Sequence, residues 1–141
     1  IIWDYTRKIN ESTNNIIYPI CDKCGLTMLQ VRILVELCAD EAHTIGSLGA
    51  SMNIAGANMS AMCKKLEKMG LLKRYRDKND ERVVKVALTE KGNDIVIHVD
   101  RVLSEKILKN IGDETEETFN NIIIGLKKLN DLLQKISSNE N

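Results

Sequence analysis

The segment Ala55–Gly92, AGANMSAMCKKLEKMGLLKRYRDKNDERVVKVALTEKG, constrains the fold of this chain more than any other stretch. Met59, Met62, Leu66 and Met69 recur at helical spacing, and Gly70 follows as the stop, since glycine readily takes the left-handed conformation that ends a helix. Two short β-prone runs come next, Leu71–Tyr75 and Val83–Leu88, separated by the charged tip Asp77–Glu81. The pattern predicts an amphipathic helix from Gly56 to Met69 that leads at once into a hairpin. Its inward stripe leaves Ala57, Ser60, Ala61, Lys64 and Lys68 facing outward, with Asn58 and Lys65 on the flanks.

Charge singles out the same segment. It holds ten basic residues against five acidic ones, a balance of +5, whereas the whole chain carries 20 of each sign, so the remainder stands at −5. A basic lobe on an acidic body is the footprint of local phosphate binding, although a charged, solvated hairpin would show the same balance. A helix able to enter a DNA groove, followed by a hairpin carrying arginine, has the layout of a winged helix-turn-helix.

Around this lobe the chain reads as helical. Ile2, Ile9, Ile16 and Ile20 outline a first helix ending near Tyr18-Pro19, because proline disfavours helix at the residue before it. A linker, Cys21–Gly25, follows, and Thr27 with Gln30 forms a capping box for a second helix bearing Val31, Ile33, Leu34, Leu37 and Cys38. Thr44 opens a short third helix with Ile45, Leu48 and Met52 on one face, in which Gly46 and Gly49 each cost ~1 kcal/mol relative to Ala. Thr89 caps a fifth helix carrying Ile95, Val96, Val99, Leu103 and Ile107. Gly112-Asp113 breaks it, and Asp113 with Glu116 suggests a box that starts a sixth helix bearing Phe119, Ile122, Ile123, Leu126, Leu129, Leu133 and Ile136. So apolar a stripe must be covered by the other terminal helix, by a second copy, or by both. The expected fold is mainly α with a small β-hairpin wing: a winged helix lobe over residues 26–92, and a helical dimerisation region over 1–25 and 93–141.

With 43% hydrophobic and 28% charged residues, the composition is that of an ordinary globular domain. No apolar run approaches the ~18 residues of a membrane span, and no signal-peptide pattern opens the sequence. A cytoplasmic protein without a membrane partner is expected. There is no glycine-rich phosphate loop, nucleophile elbow or convincing acid/base pair, so no enzymatic activity is expected and no cofactor is required.

The chain resembles the MarR family of transcriptional regulators. Met59-Ser60 and the run Lys64-Lys65-Leu66-Glu67-Lys68-Met69-Gly70-Leu71-Leu72-Lys73-Arg74 are similar to that family's recognition helix and its exit. Asp77-Lys78-Asn79-Asp80-Glu81-Arg82, the strand after it, and Thr89-Glu90-Lys91-Gly92 are similar to its wing and wing exit. The likeness in helix order covers nearly the whole chain. Two positions depart from the pattern. Ala55 stands where the family has Ser or Asp, which removes a cap worth ~1 kcal/mol, and Gly46-Ser47-Leu48-Gly49 replaces a Glu-Leu-Ala type of scaffold helix.

The resemblance implies a homodimer on double-stranded DNA, with recognition helices in successive major grooves ~34 Å apart and an inverted-repeat operator. Asn58 can pair with adenine, Ser60 with a base or a phosphate, and Ala57 and Ala61 can touch a thymine methyl, while Lys64 and Lys65 suit phosphates. The resemblance further implies that Arg82 enters the minor groove and that Asp80 orients it, although Asn79-Asp80 also suits a tight turn. Arg74 and Arg76 could reach phosphates or form structural ion pairs. Repression relieved by a small ligand, an oxidant or a metal is what the family implies.

Cys21 and Cys24 form the candidate sensor: a redox pair, half of a metal site needing two further ligands from a partner subunit or from His43 or His98, or two plain thiols in a linker. Two other classes compete with the regulator, a winged-helix module that binds protein and a thiol-redox protein using Cys21 and Cys24. The basic lobe and Arg82 weigh against the first. The lack of a βαβ setting around Cys21-x-x-Cys24 weighs against the second.

Overall fold

The computed structural model describes residues 1–39 and 43–138. The elements run α1 (Ile2–Lys23), α2 (Met28–Ala39), α3 (Ile45–Ser51), α4 (Gly56–Lys68), β1 (Leu72–Arg76), β2 (Val84–Leu88), α5 (Glu90–Asn110) and α6 (Glu116–Ser138). They fall into two compact units, the first Ile1–Glu105 and the second beginning at Lys106. This is the mainly helical fold with one two-stranded wing that the sequence predicts.

The first unit holds the core. Leu34, Leu37, Leu48, Met59, Leu66, Leu72 and Val86 are buried together, so α2, α3, α4 and both wing strands share one apolar interior. The wing strands are antiparallel, pairing Leu72 with Leu88 and Arg76 with Val84. Each strand edge lies within a residue of the sequence expectation. The sheet is tied to the base of α3 as well, for the Val86 N–H donates to the His43 carbonyl at 2.9 Å and Thr44 bridges Lys85.

Caps set the helix ends. Thr27 and Gln30 form the predicted box, with the Thr27 N–H on Gln30 Oε1 at 2.8 Å and the Gln30 N–H on Thr27 Oγ1 at 3.2 Å. Thr44 and Ser47 form a second box at the start of α3. The turn from α3 to α4 passes through Asn53 at φ 54°, a conformation asparagine tolerates better than most residues. There Gly49 lies so near the next strand of chain that the Ile54 N–H reaches its carbonyl at 2.8 Å.

Three expectations are corrected. The first helix does not end at Pro19 but runs through it to Lys23, so Cys21 sits in its last turn and Cys24 at its C-cap rather than in a linker. A proline inside a helix costs ~3 kcal/mol. Burial of Ile20 and Cys21 against the core, at ~1.5–3 kcal/mol for a fully buried aliphatic side chain, is large enough to carry the helix past it. The true stop is Gly25 at φ 68°, where the Leu26 N–H donates to the Cys21 carbonyl and the Gly25 N–H to that of Asp22, the paired bonds of a Schellman turn.

The start of α6 is the second correction. Thr115, not Asp113, caps it, its Oγ1 accepting the Thr118 N–H at 3.2 Å. The third concerns the cysteines and methionines. Cys38 lies exposed on α2, whereas Cys63 is fully buried on α4 and displaces Met62 and Met69 to half-buried flanks of its stripe.

The second unit contains α6, none of whose residues is buried. Ile122, Ile124, Leu126 and Ile136 are each close to half exposed along it.

A basic helix and wing as a candidate nucleic-acid interface

The α4 surface follows the sequence expectation except at Ser60. Met59, Cys63 and Leu66 face the core, while Ala57, Asn58, Ala61, Lys64, Lys65 and Lys68 are exposed and Ser60 is half-buried. Ala55 at the N-cap makes no side-chain hydrogen bond. The N–H groups of the first turn therefore have no side-chain cap, and this positive end of the helix dipole is suited to an anion.

The wing tip is a network of local turns. Asp77 Oδ1 accepts the N–H groups of Asn79 at 2.8 Å and Asp80 at 3.3 Å, and its carboxylate pairs with Lys85 across the hairpin. The Lys85 ammonium is the main reason the Asp77 pKa lies below the usual aspartate range, and the same pairing raises that of Lys85. Asp80 Oδ1 accepts the backbone N–H of Arg82 at 3.0 Å, so Asp80 orients the Arg82 backbone rather than its guanidinium. Among the described residues the Arg82 guanidinium has no partner and is exposed.

Arg74 and Arg76 part company from Arg82. Arg74 grips Glu67, with Nε at 2.8 Å and Nη2 at 2.6 Å from Oε2, which ties β1 to the last turn of α4. That hydrogen bond holds the Glu67 carboxyl below its ordinary range. Arg76 Nη1 donates to the Glu81 carbonyl at 2.6 Å and closes the base of the tip. The structural ion pair left open for Arg74 is thus the arrangement found, and Arg76 serves the turn.

A second set of contacts escaped the sequence reading. The wing exit clasps the end of α4: the Thr89 N–H donates to the Leu71 carbonyl at 3.2 Å, Thr89 Oγ1 to that of Gly70 at 2.7 Å, and Lys91 Nζ to that of Met69 at 3.0 Å. Thr89 Oγ1 also accepts the Gly92 N–H at 3.1 Å, capping α5. The signal was present in Thr89-x-x-Gly92, but the partners lie about twenty residues upstream, and spacing alone does not reveal them.

The candidate sensor is poorly placed for thiolate chemistry. Cys21 is buried and Cys24 half-buried, and all four cysteines are free thiols. Burial, reinforced by Cys24, pushes the Cys21 thiol pKa up, opposite to the shift that activates a cysteine. No group of three or more potential metal ligands occurs among the described residues, so neither His43 nor His98 completes a site with this pair.

A helix presenting small and basic residues, joined rigidly to a wing with a free arginine, defines a winged helix-turn-helix regulator. A family model described as "Transcriptional regulator SarA/Rot" matches residues 15–99, from the second half of α1 into α5, and the chain belongs to this family. The organic hydroperoxide resistance transcriptional regulator of Bacillus subtilis is 34% identical over 74 residues, 52% of this chain and 50% of that protein. The matched segment thus spans half the length of that relative. A MarR family protein from Bacillus stearothermophilus has the same fold with a TM-score of 0.78 at 23% identity, covering 96% of this chain and 93% of that one. MepR of S. aureus, in a structure of its DNA complex, superposes with a TM-score of 0.77 at 20% identity, covering 93% and 97%. The MarR-like architecture expected from the sequence is the one found.

Proposed function

We propose that this regulator binds double-stranded DNA as a two-fold dimer on an inverted repeat, with α4 in the major groove and Arg82 in the minor groove. One observation carries the reading: among the described residues, the exposed Lys64, Lys65 and Lys68 side chains of α4 and the Arg82 guanidinium have no ion-pairing partner. Charged groups held exposed on rigid elements suit a polyanion. The first turn of α4, lacking a side-chain cap, adds backbone N–H donors for a phosphate.

The half-exposed aliphatic residues of α6 support the dimer. Covering each would contribute on the order of 1 kcal/mol, enough together to offset a substantial part of the cost of association. Two copies related by a two-fold axis would place the helices on successive grooves, and occupancy of a promoter would repress it. Release by a small effector belongs to the same reading. A cleft of about 550 Å³ lined by Leu37, Cys38, Lys73, Tyr75, Ala87, Leu88, Thr89, Glu90 and Asn93 includes Thr89, so an occupant would bear on the clasp at the end of α4.

Fluorescence anisotropy on duplexes tiled across the upstream region of the protein's own gene, at two salt concentrations, tests the reading. Tight binding to one inverted repeat is expected. Arg82→Ala should weaken it about tenfold, at ~1–3 kcal/mol per lost contact, without changing the thermal midpoint. Absence of binding to any duplex at low salt would refute the proposal.

A further inference from the structure

The basic block is not uniform. Of its ten cations, Arg74, Arg76, Lys85 and Lys91 are committed to partners inside the chain: the Glu67 carboxylate, the Glu81 carbonyl, the Asp77 carboxylate and the Met69 carbonyl. Each of these contacts joins two segments. Glu67–Arg74 fastens α4 to β1, Lys91 fastens the start of α5 to the end of α4, and the other two hold the hairpin closed. Lys91 meets the carbonyl of Met69, the C-cap of α4, where a cation opposes the negative end of the helix dipole.

Resting on the DNA-binding reading above, we infer that Lys91 and the Glu67–Arg74 pair are positioning elements, which fix the angle between recognition helix and wing so that both reach their grooves together. Lys91 acts on DNA through α4 and not through a phosphate. Two recognition elements read one site only if their separation matches the spacing of the grooves. Thr89, with its hydroxyl between the Gly70 carbonyl and the Gly92 N–H, and Gly92, packed on the Leu71 carbonyl, form the rest of the same joint.

The two roles open to a lysine here leave different signatures. A phosphate ligand, when removed, weakens operator and random DNA alike and lowers the salt slope by about 0.9 per contact. A positioning residue, when removed, lowers the preference for operator over random duplex and leaves the slope unchanged. The test compares Lys91→Met, Lys91→Arg and Glu67→Gln with the parent protein on operator and random duplexes over a salt series.

For Lys91→Met, the expected result is a roughly 3- to 10-fold fall in the operator preference, the range for one lost hydrogen bond, with unchanged slope. Lys91→Arg, which keeps a donor for the Met69 carbonyl, should restore it. Glu67→Gln is the sharper case, because it makes the lobe more positive. Simple electrostatics then demands tighter binding, whereas a loosened joint demands poorer discrimination. A reduced slope in Lys91→Met, or a Glu67→Gln protein that binds operator better with undiminished preference, would overturn the inference.

A readout without DNA separates this from failure of the DNA-binding reading itself. In the free protein, Lys91→Met should speed amide exchange at Gly70 and Leu71, whose N–H groups bond to Glu67 and Leu66. Unchanged exchange there would sink the positioning role even if the parent binds no duplex.

Discussion

Gly92 lies against the Leu71 carbonyl so closely that a Cβ added at residue 92 would stand 1.9 Å from that oxygen. The contact explains why glycine follows Thr89 by three residues. The first turn of α5 passes directly over the turn that ends α4, and only a hydrogen fits between them. Gly92→Ala should therefore lower stability by roughly 2–4 kcal/mol, because the obstacle is backbone and cannot rotate away. The urea midpoint checks this, and a variant as stable as the parent would refute the reading of the joint.

Gly49 makes an opposite pair of predictions collide. In an isolated helix, Gly→Ala would stabilise by ~1 kcal/mol. Here the added Cβ would stand 2.8 Å from the Ile54 carbonyl oxygen and 3.6 Å from Met59 Cβ, so α3 and α4 would have to separate. The steric term should prevail, and Gly49→Ala should be less stable by roughly 1–2 kcal/mol in urea titration. A gain in stability would show that propensity dominates at this contact.

Acid should loosen the wing before it unfolds the core. Pairing with Lys85 depresses the Asp77 pKa in the folded state, so its contribution is fully present above the ordinary aspartate value of about 3.9 and is lost as pH falls through the depressed one. The Lys85 pKa is raised, so its share is complete below the ordinary lysine value and is lost as pH rises through the raised one. The hairpin should hold from about pH 4 to beyond pH 10. Amide exchange followed across acid titration would show the wing of Asp77→Asn already loosened at neutral pH and insensitive to this step.

Thiol reactivity should sort the cysteines by their places in the fold. Cys38 is exposed on α2, while burial raises the thiol pKa of both Cys21 and Cys63. A maleimide or aromatic disulfide reagent at neutral pH should modify Cys38 first and Cys63 only on unfolding, as mass spectrometry of digests would show. Rapid modification of Cys21 in the native protein would reopen a thiol-based sensor at the end of α1.

The residues of the candidate site were legible wherever the information was local. The α4 face followed from apolar spacing, its end from Gly70, the capping box of α2 from Thr27 and Gln30, and the start of α3 from Thr44. Pro19 misled because local propensity cannot register the core burial of Ile20 and Cys21 beyond it. Asp113 misled because two candidate capping residues, Asp113 and Thr115, lie close together and only geometry selects Thr115. The largest gap lay in long-range contacts. Glu67 and Arg74 are seven residues apart across a turn, and Lys91 meets Met69 over twenty-two, distances at which no periodicity speaks.

The clasp at Thr89, Lys91 and Gly92 also bears on how such a regulator diverges. It holds α4 by backbone carbonyls alone, at Met69, Gly70 and Leu71, and so places no demand on the exposed side chains at 57, 58, 61 and 64. Mount and reading head are separate parts. Duplicated genes could exchange the reading face one residue at a time, acquiring new target sequences while the joint that aims the helix stays under stringent selection.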